Sequence, residues 1–191
     1  MQALIQDLLL LSRVGRAEGK AERRPLDEPL RAALKVLRPE IETRQAQIEF
    51  GPLPAVPATQ SLITQLFQNL VGNALKFQPA GRQPHVRIEG EVQDSHVHIR
   101  VHDNGIGVPP DQLENIFAVF RRLHNSEEYE GTGIGLAVCR KIVQHHRGEI
   151  WAESEEGRGT VVHLRLPLEA QTESVVEAPA PRGDRLIAQP A

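Results

Sequence analysis

The stretch His96-Val97-His98-Ile99-Arg100-Val101-His102-Asp103-Asn104-Gly105-Ile106-Gly107 decides how this chain is read. Val97, Ile99 and Val101 fall on one face, and His96, His98, Arg100 and His102 on the other. That period of two is the mark of a half-buried β-strand. Asp103 continues the apolar side, so its carboxylate points toward the core, where it needs a donor. No Lys or Arg adjoins it in sequence. Two glycines within the next four residues let the backbone come close to something. Two readings follow: a small-molecule site in which Asp103 accepts hydrogen bonds from a ligand, or an Asp-Asn-Gly turn between strands.

Composition sets the outer bounds. A chain of 191 residues, 40% apolar, accommodates one domain with appendages. A net charge of −3 gives no argument for a nucleic-acid surface. One cysteine excludes a disulfide framework and a cysteine-rich metal site. No run of about 18 apolar residues suggests a membrane span, and no secretory signal pattern is visible, so a cytoplasmic location is expected.

Outward from the central stretch, residues 60–77 carry two apolar stripes at helical spacing. Leu62, Leu66, Leu70, Ala74 and Phe77 form one, and Ile63, Phe67, Val71 and Leu75 the other. A helix this apolar is largely buried. Its remaining stripe is Gln65, Asn69, Asn73 and Lys76. Asn69 and Asn73 lie one turn apart, and half-buried amides need partners, which a hydrated cation with phosphates would supply; the alternative is a polar strip facing solvent. Gly131-Thr132-Gly133-Ile134-Gly135-Leu136 opens a helix through His146. Glycines before a helix N-terminus make an anion site. The run follows no apolar strand and lacks the Gly-Lys-Ser/Thr ending, so neither a dinucleotide-binding βαβ unit nor a P-loop is expected.

The rest of the chain fills in around these. Residues 1–14 read as an amphipathic helix, with Met1, Leu4, Leu8 and Leu11 in a stripe that must pack on a partner helix or a second copy. Ser12 to Lys20 reads as a hinge. A helix starts at Leu26-Asp27-Glu28-Pro29 with Asp27 as its cap, running to Arg38 or, kinked, past Pro39. Gln47 to Phe50 is a short strand, and Pro52, Pro54 and Pro57 mark a loop. His85–Val92 and Ser95–Asp103 form antiparallel strands joined at Gln93-Asp94. Pro109-Pro110-Asp111 starts a short helix through Ile116, and 125–130 is a mobile polar loop. Glu149–Glu153 and Thr160–Leu166 form a hairpin across Gly157-Arg158-Gly159, with the Thr160 hydroxyl inward. The expected division is a helix remnant and hinge over 1–20, one domain over 26–169, and a disordered tail over 170–191. His145-His146 reads as helix-end stabilisation, Cys139 and Trp151 as packing, and His96, His98 and His102 as a solvated face, with a metal site the less favoured alternative.

Taken in order, four stretches resemble the ATP-binding domain of sensor histidine kinases. Asn69-Leu70-Val71-Gly72-Asn73-Ala74-Leu75-Lys76-Phe77 is similar to the N box, Asp103 to Gly107 to the first glycine box, Phe117 to Phe120 to the F box, and Gly131 to Leu136 to the second glycine box. Gly157-Arg158-Gly159-Thr160 resembles a third. Gln65 to Leu70, Arg122-Leu123-His124 and Glu128 to Gly133 resemble the branch that includes bacterial phytochromes, and residues 1–16 the end of a second dimerisation helix. The resemblance implies a two-layer α/β sandwich of the histidine kinase, gyrase and chaperone ATPase superfamily: a mixed sheet with helices on one face. It implies ATP between the N-box helix and a lid from Phe120 to Gly131. Asp103, with a water and Thr160, would accept from the adenine amino group. Asn73 with Asn69 would hold Mg²⁺, and Lys76, Arg122 and His124 would face the phosphates. Gly105 and Gly107 would line the nucleotide, and Gly131, Thr132, Gly133, Gly135 and Leu136 would bring the second glycine box to it.

One departure qualifies the resemblance. None of the eight histidines, at 85, 96, 98, 102, 124, 145, 146 and 163, stands in the His-Asp/Glu-x-x-x-Pro context of a phosphoacceptor. The first dimerisation helix is missing, so the chain is expected to be a fragment of a longer kinase or a shortened relative. Three functions follow: a histidine kinase domain acting on a separate acceptor hairpin and feeding a response regulator, with self-association through residues 1–14; an ATP-binding regulator without catalysis; or a hydrolytic ATPase. The last would need a glutamate where Asn69 stands.

Overall fold

A computed structural model of the protein describes Leu9, Leu11, Ser12, Val14 and residues 22–119 and 132–169. In chain order these hold β1 (Glu22–Pro25), α1 (Asp27–Thr43), β2 (Gln47–Phe50), β3 (Ala55–Ala58), α2 (Gln60–Lys76), β4 (His85–Gln93), β5 (His96–Asp103), a 3₁₀ turn (Pro110–Gln112), α3 (Gly135–His145), β6 (Glu149–Glu155) and β7 (Gly159–Pro167). Five strands form a mixed sheet in the order β2-β4-β5-β7-β6, and β1 pairs with β3 in a separate two-stranded sheet. Only β2 and β4 run parallel within the large sheet. The connection between them carries α2, as a parallel crossover requires.

The alternation in β5 sets the layers. Val97, Ile99 and Val101 are buried and pair with Leu166, Leu164 and Val162 of β7, which are buried too. Register therefore aligns apolar side with apolar side across the middle of the sheet. Both apolar stripes of α2 enter the same core. Leu62, Ile63, Leu66, Phe67, Leu70, Val71, Ala74 and Leu75 are all buried, each large side chain contributing about 1.5–3 kcal/mol. From α3, Val138, Cys139, Ile142 and Val143 join it. The expected α/β sandwich is the fold observed.

The other side of the sheet is polar and aromatic. His98 lies in a stack with His163 and Trp151: His163 is 4.9 Å from Trp151 at an interplanar angle of 7°, and 5.2 Å from His98. His98 Nε2 and His163 Nδ1 are 3.0 Å apart, one donating to the other. Arg100 donates to Glu91 at 2.6 Å, and His102 lies 3.4 Å from Glu89. Burial lowers the pKa of His98, His102 and His163. The histidine face is thus part packed aromatic stack and part ion pairs. Among the described residues no three His, Cys, Asp or Glu side chains could hold a metal ion.

Several local expectations need correction. Leu26, not Asp27, occupies the cap position of α1; it is buried and makes no side-chain capping bond, while Asp27 opens the helix with Arg31 3.8 Å away. The helix continues through Pro39 to Thr43. Pro57 belongs to a strand, paired opposite Arg23, because a two-stranded sheet has free edges that accept a residue with no N–H. The β4–β5 turn is Asp94-Ser95, with Asp94 at a φ of 52°. The predicted helix after Pro110 is one 3₁₀ turn. Ser12 and Val14 are helical, and Val14 is fully buried in the domain core; residues 13 and 15–20 of the expected hinge lie outside the described residues. Leu9 and Leu11 are helical as well; residues 1–8, 10 and 13 of the predicted N-terminal helix and the tail from 170 lie outside the described residues. Among those residues no helix is long and apolar enough to cross a membrane.

Candidate functional site

Asp103 ends β5, so the strand delivers its carboxylate to the edge of the core. The donors it needs are backbone groups: Gly105 N–H donates to Oδ1 at 2.8 Å and Thr160 N–H at 3.1 Å. Both bonds land on Oδ1, which leaves Oδ2 outside them. Burial pushes the Asp103 carboxyl up to about 6, against the pull of those two amides. Asp103 is therefore neither a turn former alone nor a neutralised ion. It is a half-buried acceptor held in place by the main chain.

The glycines around it serve close approach of backbone to backbone. A Cβ on Gly105 would collide with the Phe77 carbonyl, one on Gly107 with the Glu155 carbonyl, and one on Gly159 with the carbonyl of Asp103 itself. Gly107 and Gly159 also take φ values of 74° and 106°, which L side chains rarely adopt. The neighbour those glycines admit is the protein's own chain. Ile106 N–H donates to the Phe77 carbonyl at 3.0 Å and Gly157 N–H to the Ile106 carbonyl at 2.7 Å. Three loops thus close around the carboxylate: the exit from α2, residues 104–107, and the β6–β7 turn.

Thr160 is half-buried, and its hydroxyl lies 2.9 Å from Ser154 Oγ. Ser154 accepts from Val108 N–H at 2.8 Å and donates to the Gly159 carbonyl at 2.7 Å. Asn104 accepts from His85 N–H at 2.8 Å and donates to the Gln83 carbonyl at 3.0 Å. Neither Ser154 nor Asn104 had a signal in the sequence beyond its neighbours, since their partners are set by strand register.

Along α2 the polar stripe Gln65, Asn69, Asn73 and Lys76 is half-buried. Asn69 donates to the Gly135 carbonyl at 3.1 Å and accepts from Gln65 at 3.0 Å, tying the second glycine box to α2. The Asn73 side chain makes no hydrogen bond among the described residues, while its carbonyl accepts from Phe77 N–H at 3.0 Å. The Lys76 ammonium sits 4.4 Å over the Phe77 ring. Among the described residues the N-terminus of α3 has no side-chain cap, and its first turn holds no acidic residue that would offset the dipole. Gly133 adopts a φ of 72°, Thr132 Oγ1 accepts from Ile134 N–H at 3.4 Å, and Leu136 is half-buried against the core. At the far end of α3, His146 accepts from Thr59 N–H at Nε2 (3.1 Å) and donates from Nδ1 to the Ile142 carbonyl (2.8 Å), joining α3 to the start of α2. Burial lowers its pKa. Arg122, His124 and Gly131 lie outside the described residues, as does the segment expected to form a lid.

The contacts of α2 order the site. Phe77 meets the Asp103 loop and Asn69 meets the start of α3, eight residues apart, or about 12 Å along the helix. A carboxylate acceptor stands at one end of that span and a helix N-terminus with two amide side chains at the other.

The fold is shared with known proteins. The chain belongs to the family described as histidine kinase-, DNA gyrase B-, and HSP90-like ATPases, which it matches over residues 58–170. It is 40% identical over 168 residues to the phytochrome-like protein Cph1 of Synechocystis sp., covering 88% of this chain and 22% of that one. Among solved structures it is similar to full-length ShkA in complex with AMPPNP (TM-score 0.70, 28% identity, 86% of this chain and 35% of that one). It is similar also to the catalytic domain of the histidine kinase ThkA (TM-score 0.64, 29% identity, 77% of this chain and 96% of that one).

Proposed function

We propose that this chain is the ATP-binding catalytic domain of a cytoplasmic, phytochrome-like sensor histidine kinase. It would pass the ATP γ-phosphate to a histidine on a separate helical hairpin, from which a response regulator would take it. In this reading residues 26–169 are the domain, residues 1–20 the end of the second dimerisation helix, through which copies would associate, and 170–191 a tail. The observation that carries it is the Asp103 carboxylate: one oxygen fixed by two amides, the other outside both bonds, at one end of a span whose other end suits anions. An adenine amino group is a donor that such an acceptor selects, and a triphosphate is the anion.

The division of labour follows from the residues. Asp103, backed by Thr160, holds the base, while Gly105 and Gly107 shape its floor. Asn73, whose side chain has no hydrogen-bond partner among the described residues, and Asn69, whose oxygen keeps a lone pair, are hard oxygen donors of the kind Mg²⁺ accepts; the ion would neutralise phosphate charge when bound. Lys76, Arg122 and His124 add cations toward the phosphates. Gly131, Thr132, Gly133, Gly135 and Leu136 place the α3 N-terminus against them. The protein's task is to orient the γ-phosphoryl group and offset its charge, with little covalent chemistry of its own. Hydrolysis is disfavoured, because Asn69 cannot serve as a base and its amide already bonds Gln65 and Gly135.

The test is transfer of radiolabelled γ-phosphate with the chain alone and with an added acceptor hairpin from a related histidine kinase. The expected result is no label on the chain and an acid-labile, base-stable label on the hairpin. ATP binding without transfer in either arm would favour a regulatory ATP-binding module, and absence of ATP binding would end the nucleotide reading.

A further inference from the structure

We infer that Arg82 is a positioning residue for this site, whose guanidinium locks together the loops that aim the Asp103 carboxylate. The inference rests on the nucleotide reading above for what the carboxylate binds. Arg82 lies before β4, outside every glycine-rich stretch. Its Nη1 donates to the carbonyls of Asn104 at 2.7 Å, Gly105 at 3.3 Å and Gly157 at 3.2 Å. Three carbonyl oxygens from two loops therefore converge on one nitrogen. Without a cation there, their dipoles face one another and repel, and the loops have reason to part.

Those loops hold the donors on Asp103. Gly105, whose N–H bonds Oδ1, supplies one of the three carbonyls, and Gly157 opens the turn that leads to Thr160, whose N–H bonds the same oxygen. The clasp is reciprocal, since the Asn104 side chain reaches back to the backbone at Gln83 and His85. The other ties between these loops include two backbone bonds, from Ile106 N–H to Phe77 and from Gly157 N–H to Ile106, and the half-buried side chains of Asp103, Asn104 and Ser154. Arg82 is thus a single exposed side chain through which the geometry of the buried carboxylate can be tuned from outside the pocket.

The experiment compares wild type, Arg82→Met and Arg82→Lys in the full chain. Met keeps the aliphatic stem and removes charge and donors; Lys returns a cation with three donors. Two quantities are read: calorimetric affinity for a non-hydrolysable ATP analogue, and the titration midpoint of the Asp103 carboxyl by ¹³C NMR without nucleotide. Arg82→Met should bind about tenfold more weakly. Its Asp103 midpoint should rise above that of wild type, because loosened loops weaken the two amides that hold it down. Arg82→Lys should recover most of both. Should Arg82→Met lose the fold, Arg82→Gln, which keeps donors without the charge, is read the same way. A lowered melting temperature with unchanged affinity and midpoint would overturn the inference, leaving Arg82 a general stabiliser. If wild type binds no nucleotide, the functional reading fails, while the Asp103 midpoint still decides whether Arg82 positions the carboxylate.

Discussion

The two ends of the site are built from different material. Around Asp103 the chain presses backbone on backbone, with glycine at each point of closest approach. Along α2 the site is made of side chains on a helix, and the Asn73 side chain has no hydrogen bond among the described residues. Recognition at the first end is set when the domain folds, because its acceptor is already bonded on one oxygen. The second end is left for a ligand to complete. Changes at the first end should therefore couple stability to binding, and changes at the second should separate them.

The largest effect belongs to the turn. Gly159→Ala places a Cβ against the Asp103 carbonyl at a φ of 106°, and should cost about 3 kcal/mol or more of stability. Urea denaturation measures it; a loss below about 1 kcal/mol would mean the loops yield easily.

Asp103→Asn sharpens the coupling. Replacing the carboxylate with a weaker acceptor should lose about 2 kcal/mol or more of ATP-analogue affinity. Stability should move the other way. The folded carboxyl titrates near 6 and its ordinary value is 3.8, so the folded state binds the proton more tightly. Stability is then greatest below the ordinary value and declines as pH rises through the folded one, with the full cost present at pH 7. Removing the ionisable group should stabilise the nucleotide-free protein at pH 7 by about 2 kcal/mol and flatten that decline. A variant destabilised at neutral pH would show that the ionised carboxylate is not a burden to the fold.

At the other end, Asn73→Ala should remove the gain in ATP affinity that Mg²⁺ confers, about 1–2 kcal/mol, and leave adenosine binding nearly intact. Equal losses for both ligands in calorimetry would make Asn73 structural.

His146→Gln should have the smallest effect, about 1 kcal/mol. The folded imidazole takes its proton less readily than the ordinary 6.5, because burial opposes charge. Its contribution is thus complete above that value and lost as pH falls below it, and thermal unfolding of the variant should show a shallower acid limb. An unchanged limb would place the acid sensitivity on His98, His102 or His163.

Strong periodicity made much of this legible. The two stripes of α2 and the alternation of β5 and β7 were readable because each repeats over many residues and each repeat is buried. The small sheet was not, since Glu22–Pro25 is exposed throughout and Ala55–Ala58 contains a proline. Asp103 stood out as a carboxylate on an apolar face, but its donors could not be read, because Thr160 reaches it only through tertiary pairing. Arg82 gave no signal for a simpler reason: its partners are carbonyls, which every residue carries.

The stack on the far side of the sheet has a practical consequence. Trp151 is the single tryptophan of the chain, and its indole lies nearly parallel to His163. An imidazolium drains an excited indole, whereas a neutral imidazole does so much less. The protein thereby carries an intrinsic fluorophore placed to report the ionisation of one sheet face, while titrations with an ATP analogue would test the site proposed along α2. Both can be followed in a single unlabelled sample.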